Sequence, residues 1–292
     1  MKLQTVVEIA PSKWKIGYED RILLLGSCFS DEIGEQMAQR YLQVTSNPFG
    51  TLYNPLSIAQ AINYQLPITN DQLPLVYHDG LWHSMAHHGS FSRANKEEAE
   101  QAVRASIDHM QQALREATVV IVTFGTAWVY ELVESQKSKD KSQVVANCHK
   151  LPAESFTRRR LSVEEIVDAW KPILKQYKDK HWLFTVSPIR HIKDGLHENQ
   201  LSKATLLQAV ETLITEYRTQ STDRISYFPS YEIILDELRD YRFYADDLVH
   251  PSSMAINYVW ERFVDTFCTN QTKNELVLQH KRWKHEHHIP LH

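Results

Sequence analysis

A three-layer α/β/α fold with a mostly parallel central sheet is predicted from three observations. Residues 22–25, 119–124 and 182–186 are unbroken apolar runs, the pattern of strands buried on both faces. Segments with helical spacing and capped starts alternate with them, as crossovers between parallel strands require. No internal repeat or linker interrupts residues 1–292, so they read as one domain, with a loop insertion at about 131–160 and a C-terminal tail at about 270–292.

Composition narrows the class. With 42% hydrophobic and 23% charged residues, the chain has the make-up of a globular protein rather than a disordered one. A formal net charge of -4 gives no general attraction to nucleic acid or an anionic membrane, and neither partner is expected. The first nine residues lack the apolar core of a secretory signal, and no stretch approaches the ~20 apolar residues of a membrane helix. Cys28, Cys148 and Cys268 are too few and too scattered for a disulfide framework. The expectation is a cytoplasmic protein.

In chain order, residues 1–20 read as a lead-in without chemistry. The first apolar run stops at Gly26, and Ile33, Met37 and Tyr41 then recur one turn apart, so Ser27 and Cys28 fall on a strand-to-helix turn. Unpaired N–H groups at a helix start stabilise a thiolate or an oxyanion beside them. The Pro, Gly and Asn residues of 47–55 mark a constrained loop in which Gly50 offers a main-chain N–H free of side-chain obstruction. Residues 82–91 show no period and read as an ordered loop. Asn95 with Glu98, and Ser162 with Glu165, have the spacing of helix caps. The second run ends at Gly125-Thr126, and the third is followed by Ser187-Pro188-Ile189-Arg190-His191. If the strands are parallel, both ends lie on the edge that carries Cys28, where open α/β sheets bind ligands. Residues 199–218 form a further helix, 225–228 a last strand, and Pro251 opens the final helix.

Asp247-Leu248-Val249-His250-Pro251 supplies the complementary chemistry. Pro251 keeps His250 out of helical geometry at a helix mouth, where positive potential favours the neutral ring. Asp247, three residues earlier, is placed to bind the other ring nitrogen.

Gly26-Ser27-Cys28-Phe29, with Ser30 where the family name has alanine, resembles the GSCFA family, grouped with the SGNH or GDSL-type hydrolases. The stretches 47–55, Asn147-Cys148-His149-Lys150, 187–191 and 247–251 resemble its other signatures, so the likeness spans most of the chain. The resemblance implies an SGNH-hydrolase-like, flavodoxin-like domain with a nucleophile after the first strand and a late Asp-x-x-His as orienter and base. The usual first block, glycine then one residue then serine, puts Cys28 at the nucleophile position, with Ser27 the alternative. The second block matches Gly50 as an oxyanion donor. The asparagine of the third block is missing at Gly125-Thr126; Thr126, Asn54, Asn147 or Arg190 are the replacements to consider, with His149 and His191 as further substrate-binding residues.

The expected function is thus an acyl-ester hydrolase or acyltransferase acting on a small-molecule or carbohydrate ester, without a cofactor. A non-catalytic ligand-binding protein on the same fold is the competing class. His87, His88, Cys148, His149 and His191 are metal-ligand types, but no spacing ties two of them together, and no metal is assigned.

Overall fold

The structure, a computed structural model, describes residues 5–65, 73–133, 143–218 and 223–287. The chain enters its sheet through β1 (Arg21–Gly26), turns into α1 (Cys28–Ala38) and returns as β2 (Gln43–Ser46). Next come α2 (Pro55–Ile62), a hairpin of β3 (Leu75–His78) and β4 (Leu81–Ser84), α3 (Lys96–Glu116) and β5 (Val119–Phe124). β6 (Trp128–Leu132), β7 (Gln143–Val145) and β8 (Phe156–Arg160) form a separate antiparallel sheet. α4 (Val163–Gln176), β9 (His181–Val186), α5 (Leu196–Arg218) and β10 (Ile225–Phe228) resume the alternation. A short α6 (Ser230–Glu232), α7 (Ser253–Phe267) and α8 (Asn270–Glu286) complete the described chain.

The central sheet has the order β10-β9-β5-β1-β2, with every pairing parallel. The three apolar runs are its three interior strands, as their sequence predicts. Successive side chains of a strand point to opposite faces, and the core divides accordingly. Leu23, Leu25, Val120, Val122, Phe124, Trp182 and Phe184 pack against α2, α3, α4 and α5. Ile22, Leu24, Val119, Ile121 and Leu183 pack with apolar side chains of α1, α7 and α8. Strand order reverses between β1 and β5, the switch point where such sheets leave a crevice at their C-terminal ends. Gly26 and Gly125 end those two strands.

Several expectations give way. Residues 82–91 are not simply a loop: β4 occupies their start and pairs with β3 around Asp79-Gly80, both at positive φ. This ribbon shows no alternation of apolar and polar residues: β3 is half-exposed, and the buried residues of β4 are the polar His83 and Ser84. The insertion at 131–160 is not only loop: it carries the end of β6, β7 and β8, with residues 134–142 outside the described chain. Its β8 reads Phe-Thr-Arg-Arg-Arg because it is held across strands rather than by burial: Arg159 pairs with Glu131 at 2.8 Å, and the Arg158 guanidinium lies 4.4 Å from the Trp128 ring centroid. β2, unannounced by its polar sequence, is a short edge strand. The tail is helical through α8, capped by Thr269, with only Thr272 and Leu276 buried; residues 288–292 lie outside the described chain. Pro251 does not open the last long helical stretch: Ser252 caps α7, and Pro251 bridges to Tyr244.

Candidate active site

The turn after β1 is fixed by main-chain contacts. Gly26 sits at φ +138°, and a Cβ there would lie 2.2 Å from the Thr123 carbonyl oxygen, so only glycine lets β1 and β5 stay this close. Asn47 Oδ1 accepts the Gly26 N–H at 2.8 Å, while Asn47 Nδ2 donates to Asp31 Oδ1 at 2.8 Å, tying the turn to the 47–55 loop and to α1. α1 begins at Cys28, earlier than its periodicity suggests, with Ser27 as a cap that gives no side-chain hydrogen bond. The Ser30 N–H donates to Ser27 O at 2.8 Å, while the N–H groups of Cys28 and Phe29 precede the first helical acceptor.

Beside this turn lies a cavity of about 440 Å³, and Ser27, Cys28, Thr126, Arg190, His191 and His250 all contribute to its lining. Trp128, Tyr130 and Arg158 of the antiparallel sheet build one wall. Cys28 is partly exposed and its Sγ lies 3.5 Å from the Tyr53 hydroxyl. Ser27 is 1% exposed, and its Oγ has no hydrogen-bond partner.

Asp247 and His250 meet as their spacing suggests. His250 Nδ1 and Asp247 Oδ2 are 2.6 Å apart, and Asp247 Oδ1 accepts the N–H groups of Val249 and His250 at 2.9 Å each. The His250 N–H and ring, with the Val249 N–H, hold the Asp247 carboxyl down to about 2, so it is an anion throughout the physiological range. With Nδ1 engaged, Nε2 is the ring nitrogen left for proton transfer.

Arg190, one of the replacements considered for the missing asparagine, holds this loop in place. Its N–H donates to the Val249 carbonyl at 3.3 Å, its Nη2 to the Leu248 carbonyl, and its guanidinium stacks on Tyr244 at 4.5 Å. Leu248 itself takes a positive φ of 56°, which turns its carbonyl into the clamp.

Other expected donors are occupied. The Gly50 N–H donates to Asn47 O at 2.7 Å within its own turn, and its positive φ answers to His88, which a Cβ would meet at 2.3 Å. Gly50 is thus a turn residue, absent from the cavity lining. Asn54 caps α2: its Oδ1 accepts the Ser57 N–H at 2.8 Å and its Nδ2 donates to Ser57 Oγ at 2.9 Å. Thr126 Oγ1 accepts the Trp128 N–H at 3.1 Å and shares a hydrogen bond with Ser202 Oγ at 3.1 Å. Asn147 and His149 do not line the cavity: Asn147 Oδ1 takes the His149 N–H, and the His149 ring bonds Ser84 O at 2.8 Å and stacks on His83. Among the described residues, no three His, Cys, Asp or Glu side chains converge, and His87 and His149 sit apart from His191, which lines the cavity.

Two contributors escaped the sequence reading. Lys203 of α5 is fully buried and donates to Gly125 O at 2.6 Å and Ser187 O at 2.7 Å, joining the ends of β5 and β9 beneath the cavity. Burial lowers its pKa to about 7. A lysine within a helix reads as a solvated charge unless tertiary contacts are known, so nothing local marks it. Tyr53 is the other, and its surroundings were legible only as turn formers.

Eight buried side-chain polar atoms lack a partner among the described residues, and four of them belong to this cavity's lining: Ser27 Oγ, Trp128 Nε1, Arg190 Nε and His191 Nε2. Trp Nε1 and Arg Nε can only donate.

Burial also keeps two imidazoles neutral. His87, stacked on Phe49 at 4.1 Å, is pushed down to about 3 by burial and then by His149. His191 is pushed down to about 4 by burial and then by Lys203. On acidification below about 6.5 the unfolded chain takes up protons that these folded rings refuse, so stability falls as pH drops toward 4. The expected slope is at most about 1.4 kcal/mol per pH unit for each ring. Urea midpoints between pH 7 and 4.5 check this: His87→Phe should show a shallower decline than wild type, and parallel declines would contradict the assignment.

No curated protein matches the chain. The GSCFA family model does match, over residues 21–263. That span runs from the first residue of β1 into α7, and takes in the strand-to-helix turn, the 47–55 loop and the Asp247–His250 pair alike. The chain belongs to the GSCFA family.

Proposed function

We propose that this protein is an acyl-ester hydrolase or acyltransferase of SGNH type, with Cys28 as nucleophile, His250 as base and Asp247 as the residue that orients His250. The observation that carries the reading is the meeting of three features in one cavity at the sheet's switch point. They are a partly exposed helix-start thiol, an aspartate-bound histidine and a wall of Trp128, Tyr130 and Arg158. In this reading His250 removes the Cys28 proton as sulfur attacks the ester carbonyl, then returns a proton to the departing alkoxide. Water or a second alcohol completes the cycle by cleaving the thioester. Ser27 is the weaker nucleophile because its hydroxyl is enclosed. The aromatic wall of Trp128 and Tyr130 fits a small-molecule or carbohydrate ester. Three unpaired cysteines fit a cytoplasmic setting.

A ligand-binding protein without turnover is the second reading, favoured by the engagement of the Gly50 N–H and the Thr126 hydroxyl elsewhere. The two separate on p-nitrophenyl acetate. The enzyme reading predicts turnover above background that iodoacetamide removes; a protein that binds esters but never releases nitrophenol would sustain the second reading.

A further inference from the structure

With Gly50 and Thr126 committed to other bonds and one N–H of Asn54 spent on Ser57, a further donor opposite the helix start is worth seeking. The geometry points to Tyr53: we propose that its phenol donates a hydrogen bond to the Cys28 sulfur at rest and to the substrate's carbonyl oxygen as that oxygen becomes an oxyanion. This inference rests on Cys28 being the nucleophile.

Three observations carry it. Tyr53 Oη lies 3.5 Å from Cys28 Sγ. The attacked carbon sits one bond from sulfur and its oxygen two, so a hydroxyl at this distance reaches the developing charge. Next, Tyr53 is anchored by its main chain to the end of β5, its carbonyl accepting the N–H groups of Gly125 at 2.8 Å and Thr126 at 2.9 Å. A Cβ on Gly125 would come within 2.9 Å of the Tyr53 carbonyl oxygen, so this glycine permits the approach. Third, the Tyr53 ring meets the His191 ring edge-on at 6.3 Å, which fixes the phenol's direction from its other side.

Protonation is consistent with a donor. Burial, and then the contact with Cys28, push the Tyr53 hydroxyl up to about 12, so it keeps its proton through the cycle. In the step itself the sulfur–carbon bond forms while the carbonyl π pair moves onto oxygen, and the thiol proton goes to His250. The oxyanion is then held by the Tyr53 O–H and the first N–H groups of α1. Collapse re-forms the carbonyl and breaks the bond to the alkoxide, which takes the proton from His250. Tyr53 transfers no proton.

Tyr53→Phe is the test, with p-nitrophenyl acetate as the probe for acetylation and iodoacetamide for alkylation of Cys28. Because the anchors are main-chain atoms and the ring is retained, the variant keeps the turn. Alkylation displaces iodide without forming an oxyanion, so the two rates should separate. Acetylation is expected to slow about 10²–10³-fold, the usual loss for one oxyanion donor, with KM little changed, while alkylation slows far less. Equal slowing of both would make Tyr53 a packing residue and overturn the proposal, as would an unchanged acetylation rate. Wild type is measured alongside: if it acetylates Cys28 and Tyr53→Phe does so equally fast, only the Tyr53 assignment falls. If wild type never acetylates Cys28, the nucleophile assignment falls and takes this one with it.

Discussion

Cys28→Ala is expected to bring turnover of an activated ester down to background, whereas Ser27→Ala retains a measurable part of it. Alanine removes the one sulfur that lines the cavity among the described residues and leaves the Tyr53 hydroxyl facing a methyl group. Ser27 cannot substitute in the folded turn, because its hydroxyl is enclosed between the strand end and the helix. Cys28→Ser refines the result. A hydroxyl is a weaker nucleophile than a thiol and depends more fully on an adjacent base. Residual activity in that variant therefore reports that His250 reaches the nucleophile position. Full activity in Cys28→Ala with none in Ser27→Ala would transfer the role to Ser27 and make Cys28 a packed thiol behind the turn.

His250→Ala is expected to cost about 10²–10⁴ in kcat, the range for loss of a positioned general base. Its effect on folding should be small, since the ring is about half exposed and its chief contact is Asp247. Asp247→Asn asks a finer question. An amide at this position can still accept the Val249 and His250 N–H groups, so the loop keeps its shape, but the negative charge opposite the ring is gone. The wild-type carboxylate, held down to about 2, stays charged across the assay range. Its loss removes stabilisation of the imidazolium that forms during turnover, so kcat falls while KM changes little. Initial rates of both variants at saturating ester check these expectations; wild-type kcat in His250→Ala would remove the base from the account.

The fold was readable in the sequence where burial on both faces left no freedom. The runs of β1, β5 and β9 admit few polar residues because helices cover both sides, and they stand as interior neighbours. β2, the β3–β4 ribbon and the β6–β8 sheet were not readable, since each is held by edge pairing, cation–π stacking or ion pairs that leave no hydrophobic period. The same division runs through the site. Cys28 and the Asp247–His250 pair announce themselves by local spacing. Gly50, Asn54 and Asn147 carry the right chemistry, but its use depends on contacts that no window of sequence contains: their donors or side chains are spent on Asn47, Ser57 and His149. Lys203 and Tyr53 are the converse case, ordinary residues locally whose roles arise from the ends of β5 and β9 meeting at one edge.

The most direct measurement is to quench wild-type protein during its reaction with p-nitrophenyl acetate and locate the acetyl group by peptide mass analysis. The account predicts one added acetyl, on Cys28, that forms quickly and is trapped by an acid quench before water cleaves it. It also predicts that the group is labile to hydroxylamine, as a thioester is. Nitrophenol release with the acetyl group on Ser27, or with no covalent adduct on the Ser27-Cys28 turn under any quench, would contradict it.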